Sequence, residues 1–302
     1  MKELTRREFL RAGAIGAGAL VSAPAFDLSA KSLAVKGSAA DRVTLGKTGV
    51  VISRLAQGTG VKGGSRASEH TRMGQEAFTR LIRHGFDQGV NLWDMADMYG
   101  THPFMRNAMK GVDRDKYAVL SKIWTRKAKW NQPSGGARAE VERFRKEMDS
   151  DILDICLIHC MVKADWTERE KRVRDELSEL KQKGIVRAVG VSCHSHDALK
   201  TAATHPWTDV ILARINHKGG REFKMDGSVE DITKTLKLAR ANGKAVIGMK
   251  IFSEGVLKTP EEKDASLKYV LNSGAVDAIT IGMRKPEEVD DSISRIASAL
   301  AG

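Results

Sequence analysis

Four ionisable side chains lie where short apolar runs of the sequence end. Asp94 and Tyr99 follow one such run, Lys122 follows the next, and His159 closes a third. A site that reduces a carbonyl must give a proton to the developing alkoxide while hydride reaches the carbon, so it needs an acid that works near neutral pH. Tyrosine has a pKa of about 10 in water, a nearby lysine ammonium lowers that pKa, and a carboxylate paired with the lysine keeps it charged. Tyr99, Lys122 and Asp94 fit these three roles. His159 can steer the substrate oxygen or complete a proton relay, because its ring nitrogens can donate or accept.

Each of these residues alone has an ordinary structural explanation. A lysine at a strand end is commonly exposed to solvent, and a histidine after an apolar strand is commonly a hydrogen-bonded core residue. An aspartate can cap a turn, and a tyrosine can form a wall. Their joint occurrence favours one site, because the strand ends and the loops that follow them form the open face of an α/β barrel.

Short apolar runs alternate with segments of helical period through most of the chain. This pattern is typical of repeated βα units around a parallel sheet, and 302 residues suffice for one domain of about 250 residues with extensions. We therefore predict an α/β fold, a (β/α)8 TIM barrel, with an N-terminal β-hairpin over residues 43–52 that closes the bottom of the barrel. The predicted strands are residues 54–57, 90–93, 117–120, 152–158, 186–191, 210–214, 245–249 and 278–281. The predicted helices include residues 75–88, 137–148, 167–183, 229–242, 261–272 and 286–300.

A glycine-rich segment after the first predicted barrel strand, residues 58–63, matches the GxGxxG pattern of dinucleotide-binding folds. In those folds a helix begins at once and an acidic residue follows about 20 residues later. Here Gly63, Gly64 and Ser65 continue the loop instead. The sequence therefore argues against a Rossmann fold.

The first 30 residues have the pattern of a twin-arginine export signal. Arg6 and Arg7 precede an apolar stretch over residues 12–23, and small residues at 23–25 provide a cleavage site. The apolar stretch has about 12 residues, whereas a helix needs about 20 to cross a bilayer. No stable membrane span is therefore expected, and an uncleaved signal that tethers the protein is the alternative.

This pattern divides the chain into three segments. Residues 1–30 are predicted to be a twin-arginine signal peptide cleaved near residue 25, residues 31–41 a linker, and residues 42–302 the barrel domain. We expect a periplasmic or otherwise exported protein whose partners include the twin-arginine (Tat) export machinery.

The chain carries a formal net charge of +12 and has a sequence pI near 9.6, which favours anions such as phosphates. Its basic residues are interspersed with acidic ones, as in residues 168–183, so the sequence indicates solvated helix faces and no nucleic-acid partner. Cys160, Cys193, His194 and His196 lie near the predicted barrel mouth without a carboxylate at ligand spacing, so no metal site is predicted. A Cys160–Cys193 disulfide stays open as an alternative.

Three segments resemble, in order, the catalytic motifs of the aldo-keto reductases. They read NLWDMADMYG over residues 91–100, SKIW over 121–124 and DICLIH over 154–159. The five-residue step from Asp94 to Tyr99 matches that family, and LGKTG at 45–49 and GVS at 190–192 extend the resemblance to about residues 42–300. The resemblance implies reduction of an aldehyde or ketone to an alcohol with NADP(H), NAD(H) being possible. It implies Tyr99 as the general acid, with Asp94, Lys122 and His159 as its partners.

The same resemblance implies a cofactor site with several departures from the usual family pattern. Ser192 would hold the nicotinamide carboxamide, but Cys193 stands where the family usually has asparagine, and Leu212 where it has glutamine. The last strand and helix resemble the phosphate-binding segment, with Arg284 and Lys285 as substitutes for the usual cations. The predicted cofactor-binding residues are Ser192, Cys193, Asn216, Lys250, Gly282, Met283, Arg284, Lys285 and Glu288, and Trp124 is predicted to line the substrate pocket.

Two other functions compete with the reductase interpretation. A barrel of this family could bind a nicotinamide nucleotide as a sensor with little turnover, whereas a metal-dependent hydrolase would need a ligand cluster that the sequence lacks. The complete set of four catalytic residues favours the enzyme. We expect a small-molecule carbonyl substrate and a monomer or small oligomer.

Overall fold

The computed structural model describes residues 37–125 and 135–302. The predicted signal peptide over residues 1–30 lies outside these residues, as does the linker up to residue 36. Among the described residues, no helix combines the length and the apolar character that crossing a bilayer requires.

Eight parallel strands form a closed barrel, as the sequence predicts. The strands of the described residues are β1 (Arg42–Thr44), β2 (Val51–Ser53), β3 (Leu55–Gly58), β4 (Leu92–Asp94), β5 (Ala118–Ile123), β6 (Leu153–Met161), β7 (Val186–Cys193), β8 (Val210–Arg214), β9 (Ala245–Met249) and β10 (Ala278–Gly282). Going around the barrel, the eight parallel strands follow the order β10-β3-β4-β5-β6-β7-β8-β9.

Helices follow the barrel strands and cover their outer faces with apolar side chains. They are α1 (Glu69–Arg72), α2 (Gln75–Asp87), α3 (His102–Ala108), α4 (Ala137–Met148), α5 (Trp166–Arg169), α6 (Lys171–Gln182), α7 (His196–Thr204), α8 (Val229–Ala241), α9 (Pro260–Asn272) and α10 (Pro286–Ala301). The predicted helix over residues 167–183 is wrong in one respect, because it is two helices. Glu170 separates them with a backbone outside the helical region, at φ −102° and ψ 20°.

The N-terminal hairpin is present as predicted. Strands β1 and β2 pair antiparallel, and the hairpin buries Leu45, Val50 and Ile52 in the same cluster as the residues inside the barrel. The hairpin therefore closes one end of the barrel and leaves the C-terminal strand ends open.

Alternation along the strands places the ionisable residues inside the barrel. Leu92, Leu120 and Leu157 belong to the interior cluster, and side chains two residues apart on a strand face the same side. The next inward layer, towards the C-terminal strand ends, therefore consists of polar residues. On β4, β5 and β6 these are Asp94, Lys122 and His159.

Candidate active site

A buried ion pair forms the base of the site. Asp94 ends β4 and pairs with Leu120 of β5 in the sheet register, which brings Lys122 alongside. The ammonium of Lys122 donates to Asp94 Oδ1 and, at 2.7 Å, to the backbone oxygen of Met95. Lys122 is only 1% exposed, and burial lowers its pKa while the negative charge of Asp94 opposes that shift. Asp94 thus favours the charged form of the lysine inside the barrel.

Tyr99 lies directly over this pair. It sits on a 3-10 turn, Asp97–Tyr99, that follows β4, and Lys122 Nζ lies 4.9 Å from the centre of its ring. Burial raises the pKa of Tyr99 well above its ordinary value, and the charge of Asp94 raises it further. In the protein alone burial sets the direction of this shift, and the lowering of the pKa by the lysine ammonium stays a prediction. The phenol is therefore protonated at neutral pH, as a proton donor must be.

His159 completes the group at the end of β6. Its ring packs edge-on against Tyr99, with centroids 5.8 Å apart, and against Trp124, with centroids 5.4 Å apart. The strand is irregular between Ile158 and Met161, where Cys160 has a left-handed backbone with φ 66°. The structure thus brings together all four residues proposed for catalysis, with Trp124 beside them.

The glycine-rich loop packs on the tyrosine ring. A side chain at Gly60 would overlap the ring of Tyr99, and a Cβ at Gly63 would lie 2.6 Å from Tyr99 Cδ1. These two glycines therefore allow the first βα loop to lie against the ring. In the sequence this loop stands out only as a match to the GxGxxG pattern, and nothing there indicates its contact with Tyr99.

A network of ion pairs holds the turn that carries Tyr99. Asp97 Oδ1 accepts from Arg66 Nη1 at 2.8 Å and from Arg143 Nη2 at 2.5 Å, and Glu147 bonds to both arginines and to His102. Burial opposes ionisation of Glu147, but hydrogen bonds from His102 and the arginines lower its pKa to about 2. The network joins the first βα loop, the Tyr99 turn and α4. The sequence offers no signal for it, because its members are scattered along the chain.

The sequence profile of the Aldo/keto reductase family matches residues 58–268, which contain this whole arrangement. The chain belongs to the Aldo/keto reductase family. It is 28% identical over 56% of its length to Probable aldo-keto reductase 1 from Glycine max, of which it spans 50%. It is 24% identical over 72% of its length to the NADH-specific methylglyoxal reductase of Escherichia coli, of which it spans 68%.

The fold is also that of solved aldo-keto reductases. The structure of a Klebsiella pneumoniae aldo-keto reductase in complex with NADPH superimposes with a TM-score of 0.62 at 18% identity. The superposition covers 86% of this chain and 89% of that one. It bears out the (β/α)8 architecture.

Of the residues predicted to bind the cofactor, Ser192 lies in the polar inward layer near the C-terminal strand ends, and Cys193 does not. Ser192 is 1% exposed, and its hydroxyl accepts from the backbone N–H of Cys160 at 2.8 Å, which leaves its own hydrogen to be donated. Cys193 is completely buried in the cluster that packs the barrel against the helices, and burial raises the pKa of its thiol. This placement argues against a direct contact between Cys193 and a cofactor.

Asn216 and Lys250 belong to the loops after β8 and β9. The Asn216 amide donates to Phe223 O at 2.8 Å and to Ser253 Oγ at 3.2 Å, so it ties these loops together. Lys250 has a left-handed backbone, with φ 61°, and forms an ion pair with Glu254. Asn216 thus has a structural role here, and cofactor binding by both residues stays a prediction.

The predicted phosphate segment lies at the end of β10 and the start of α10. Gly282 is exposed, whereas the side chain of Met283 is buried. The polar contacts of Met283 are made by its backbone oxygen. Met283 O accepts from Gln57 Nε2 at 2.8 Å and lies 2.8 Å from His70 Nε2. The segment is thereby fixed to β3 and α1.

Arg284 is held by two carboxylates. Its Nη1 lies 3.0 Å from Glu69 Oε2, and its backbone N–H donates to Glu288 Oε2 at 2.7 Å. Lys285 is exposed at the N-cap of α10. The sequence gives no sign of the contact with Glu69, because Glu69 belongs to a distant element, α1.

The cysteines and histidines near the mouth form no recognisable metal centre. Within residues 37–125 and 135–302, no group of three or more His, Cys, Asp or Glu side chains could hold a metal ion. All three cysteines lie in this part of the chain, and none is in a disulfide there.

Proposed function

We propose that this chain reduces an aldehyde or ketone to an alcohol, with a nicotinamide nucleotide as the hydride donor and Tyr99 as the proton donor. The observation that carries the proposal is the position of the Tyr99 ring over the buried Lys122–Asp94 pair. As the phenolic proton moves to the substrate oxygen, negative charge develops on Tyr99. The ammonium of Lys122 stabilises that charge, and Asp94 keeps the ammonium charged and in place.

His159 and Trp124 define where the carbonyl lies. His159 is 6% exposed and contacts both aromatic rings, so its imidazole can direct the carbonyl oxygen towards Tyr99. Trp124 provides an apolar wall beside it. Together they orient the substrate and exclude water, which strengthens the electrostatic effect of Lys122.

Residues of the chain fit a nucleotide bearing phosphate groups. At the start of α10, Pro286 has no N–H and the Glu288 carboxylate accepts from the backbone N–H of Arg284, so a phosphate bound at this helix start would displace Glu288 from that N–H group. Arg284 and Lys285 add positive charge, and Ser192 can donate to the carboxamide. When bound, the nicotinamide supplies the hydride. The NADPH-bound and NADH-specific relatives support either nucleotide as the donor.

Single-turnover measurements test this proposal against a nucleotide-binding sensor. The purified protein is loaded with NADPH or NADH and mixed in a stopped-flow instrument with a panel of aldehydes and ketones that includes methylglyoxal. We expect oxidation of the bound cofactor that depends on the carbonyl and yields the alcohol. Binding of the nucleotide without carbonyl-dependent oxidation would support the sensor instead.

For the cofactor, we propose a preference for NADPH over NADH of about tenfold, which corresponds to about 1.4 kcal/mol. A guanidinium can grip the additional phosphate with charge-assisted hydrogen bonds, although Glu69 and Glu288 compete for Arg284. Arg284→Ala should weaken NADPH binding about tenfold and leave NADH binding within about twofold. Titration by quenching of protein fluorescence measures both constants.

The Glu69→Gln variant is the matched counterpart. It removes a competing negative charge from Arg284, so it should strengthen NADPH binding and leave NADH binding unchanged. Equal losses for both nucleotides in Arg284→Ala, or no loss for either, would remove Arg284 from the phosphate site.

We also propose that the protein is exported by the twin-arginine route, on the basis of the Arg6-Arg7 pattern. Replacement of both arginines by lysine should trap the precursor in the cytoplasm, because that route reads the pair. Fractionation of cells and N-terminal sequencing check the result, and the mature wild-type chain should begin near Phe26. Normal export and cleavage of the double-lysine variant would contradict the proposal.

A further inference from the structure

A threonine on the last barrel strand reaches the carboxylate of the proposed catalytic pair. Thr280 lies in the middle of β10, and its hydroxyl donates to Asp94 Oδ2 at 3.1 Å. Thr280 and Asp94 are each 7% exposed. The contact joins residues 186 positions apart in the sequence, so it exists only because the barrel closes.

Gly58 leaves the space for this contact. Strand β3 lies between β10 and β4, and Gly58 is in register with Gly282 on one side and Asp94 on the other. A Cβ at Gly58 would lie 3.3 Å from Thr280 Oγ1, tighter than an ordinary van der Waals contact. Without a side chain there, the hydroxyl can reach across the intervening strand to the carboxylate.

Asp94 consequently receives a donor on each oxygen. Lys122 donates to Oδ1 and Thr280 to Oδ2. One donor leaves a carboxylate able to rotate about its terminal torsion, whereas donors on both oxygens fix its plane. A buried carboxylate oxygen without a donor is also unfavourable. The threonine therefore acts on the orientation of the group that holds the lysine.

We propose that Thr280 is a positioning residue for proton donation, holding Asp94 in the orientation that keeps the Lys122 ammonium beneath Tyr99. The inference rests on the proposed function, because it gives Thr280 its effect through the Lys122–Tyr99 pair. Thr280 itself need not touch substrate or cofactor.

The charges around this pair decide which pH effect to expect. The charged group that faces Lys122 is Asp94, on the neighbouring strand β4. Tyr99 faces His159 near the end of β6, and it is acted on electrostatically by Cys160, the penultimate residue of that strand, and by Glu254, in the loop after β9. Burial lowers the pKa of Lys122 and Asp94 opposes that shift. If Asp94 is not held in this orientation, its charge raises the pKa of Lys122 less. The lysine should then lose its proton at a lower pH.

The test compares Thr280→Val, which keeps the shape and removes the hydroxyl, with Thr280→Ser, which keeps the hydroxyl. The assay uses NADPH and the panel carbonyl that wild type reduces fastest. For Thr280→Val we expect kcat about tenfold lower, KM for the carbonyl within about twofold, and the alkaline limb of the kcat profile shifted to lower pH. Thr280→Ser should restore kcat to within about threefold and return the alkaline limb to its wild-type position.

Thr208→Val is the matched control. Thr208 is also buried, at 1% exposure, and within the described residues its hydroxyl has no hydrogen-bond partner. Loss of that hydroxyl should leave kcat and the pH profile unchanged. Should Thr280→Val fail to fold, Thr280→Ala removes the hydroxyl together with the γ-methyl group and adds no new group in their place.

The outcomes separate this inference from the proposed function. Wild-type kcat and pH profile in Thr280→Val, together with inactivity of Tyr99→Phe, would reject the role of Thr280 and leave the proposed function standing. Equal losses in Thr280→Val and Thr280→Ser would also reject it, because the hydroxyl would not be the cause. If no carbonyl in the panel is reduced, or if Tyr99→Phe retains full turnover, the proposed function fails and the inference fails with it.

Discussion

Tyr99→Phe should lower kcat at least about 100-fold, the low end of the effect of general acid catalysis. The variant removes the phenolic proton donor and keeps the ring. The ring contacts with Gly63 and His159, and the position of Lys122 over its face, can all persist. The fold and the binding of nucleotide should therefore be preserved. Single-turnover oxidation of bound NADPH by the best carbonyl measures the loss.

Two controls interpret the result. Fluorescence titration should give wild-type affinity for NADPH, and the thermal unfolding midpoint should change little, since the packing is retained. Near-normal turnover in Tyr99→Phe with a good substrate would show that another group donates the proton, and the assignment of Tyr99 would be wrong.

The barrel could be predicted because each of its strands carries a local signal. Apolar runs of a few residues alternating with helical periods require no knowledge of distant contacts, and all eight predicted strands occur. The strand ends are less well defined. Strand β6, for example, extends through His159 to Met161 across an irregular register, and no apolar pattern marks such an extension.

The grouping of the four residues proposed for catalysis could be predicted for a related reason. A parallel barrel brings the C-terminal ends of its strands to one face. Correct prediction of the strands was therefore enough to place Asp94, Lys122 and His159 near one another. Tyr99 follows Asp94 closely enough to share that face. Their spacing also resembled a known family, and the resemblance supplied roles that spacing alone left open.

Contacts between distant segments could not be predicted. The contact of Thr280 with Asp94, the ion pair of Glu69 with Arg284, and the packing of Gly63 on Tyr99 each join separate βα units. None has a periodic signal, because each depends on where two loops or strands meet after the barrel closes. The direction of the shift in the pKa of Tyr99 could not be predicted either, because it follows from burial in the closed barrel.

The position of a residue in a family motif does not by itself fix the direction of its side chain, as Cys193 shows. The motif places this residue beside Ser192, at the expected cofactor site. Alternation along β7 turns successive side chains to opposite faces, and Cys193 lies in the cluster against the helices. The small thiol of Cys193 is accommodated in this apolar layer.

Lys122→Met should also lower kcat at least about 100-fold. Methionine is unbranched and flexible enough to fill the space of a lysine that is 1% exposed. It removes the ammonium that stabilises the developing charge on Tyr99, and it leaves Asp94 with Thr280 as its remaining side-chain donor. The free energy of unfolding should consequently fall by about 3 to 5 kcal/mol, as when one member of a buried ion pair is removed.

The double variant Asp94→Asn with Lys122→Met separates catalysis from stability. It removes both charges, so much of the lost stability should return, because no uncompensated carboxylate stays buried. Turnover should not return, since the ammonium is still missing. Thermal unfolding and single-turnover kinetics on wild type and the two variants provide the comparison. If activity recovers together with stability, Lys122 acts only by supporting the fold, and its role in proton donation must be abandoned.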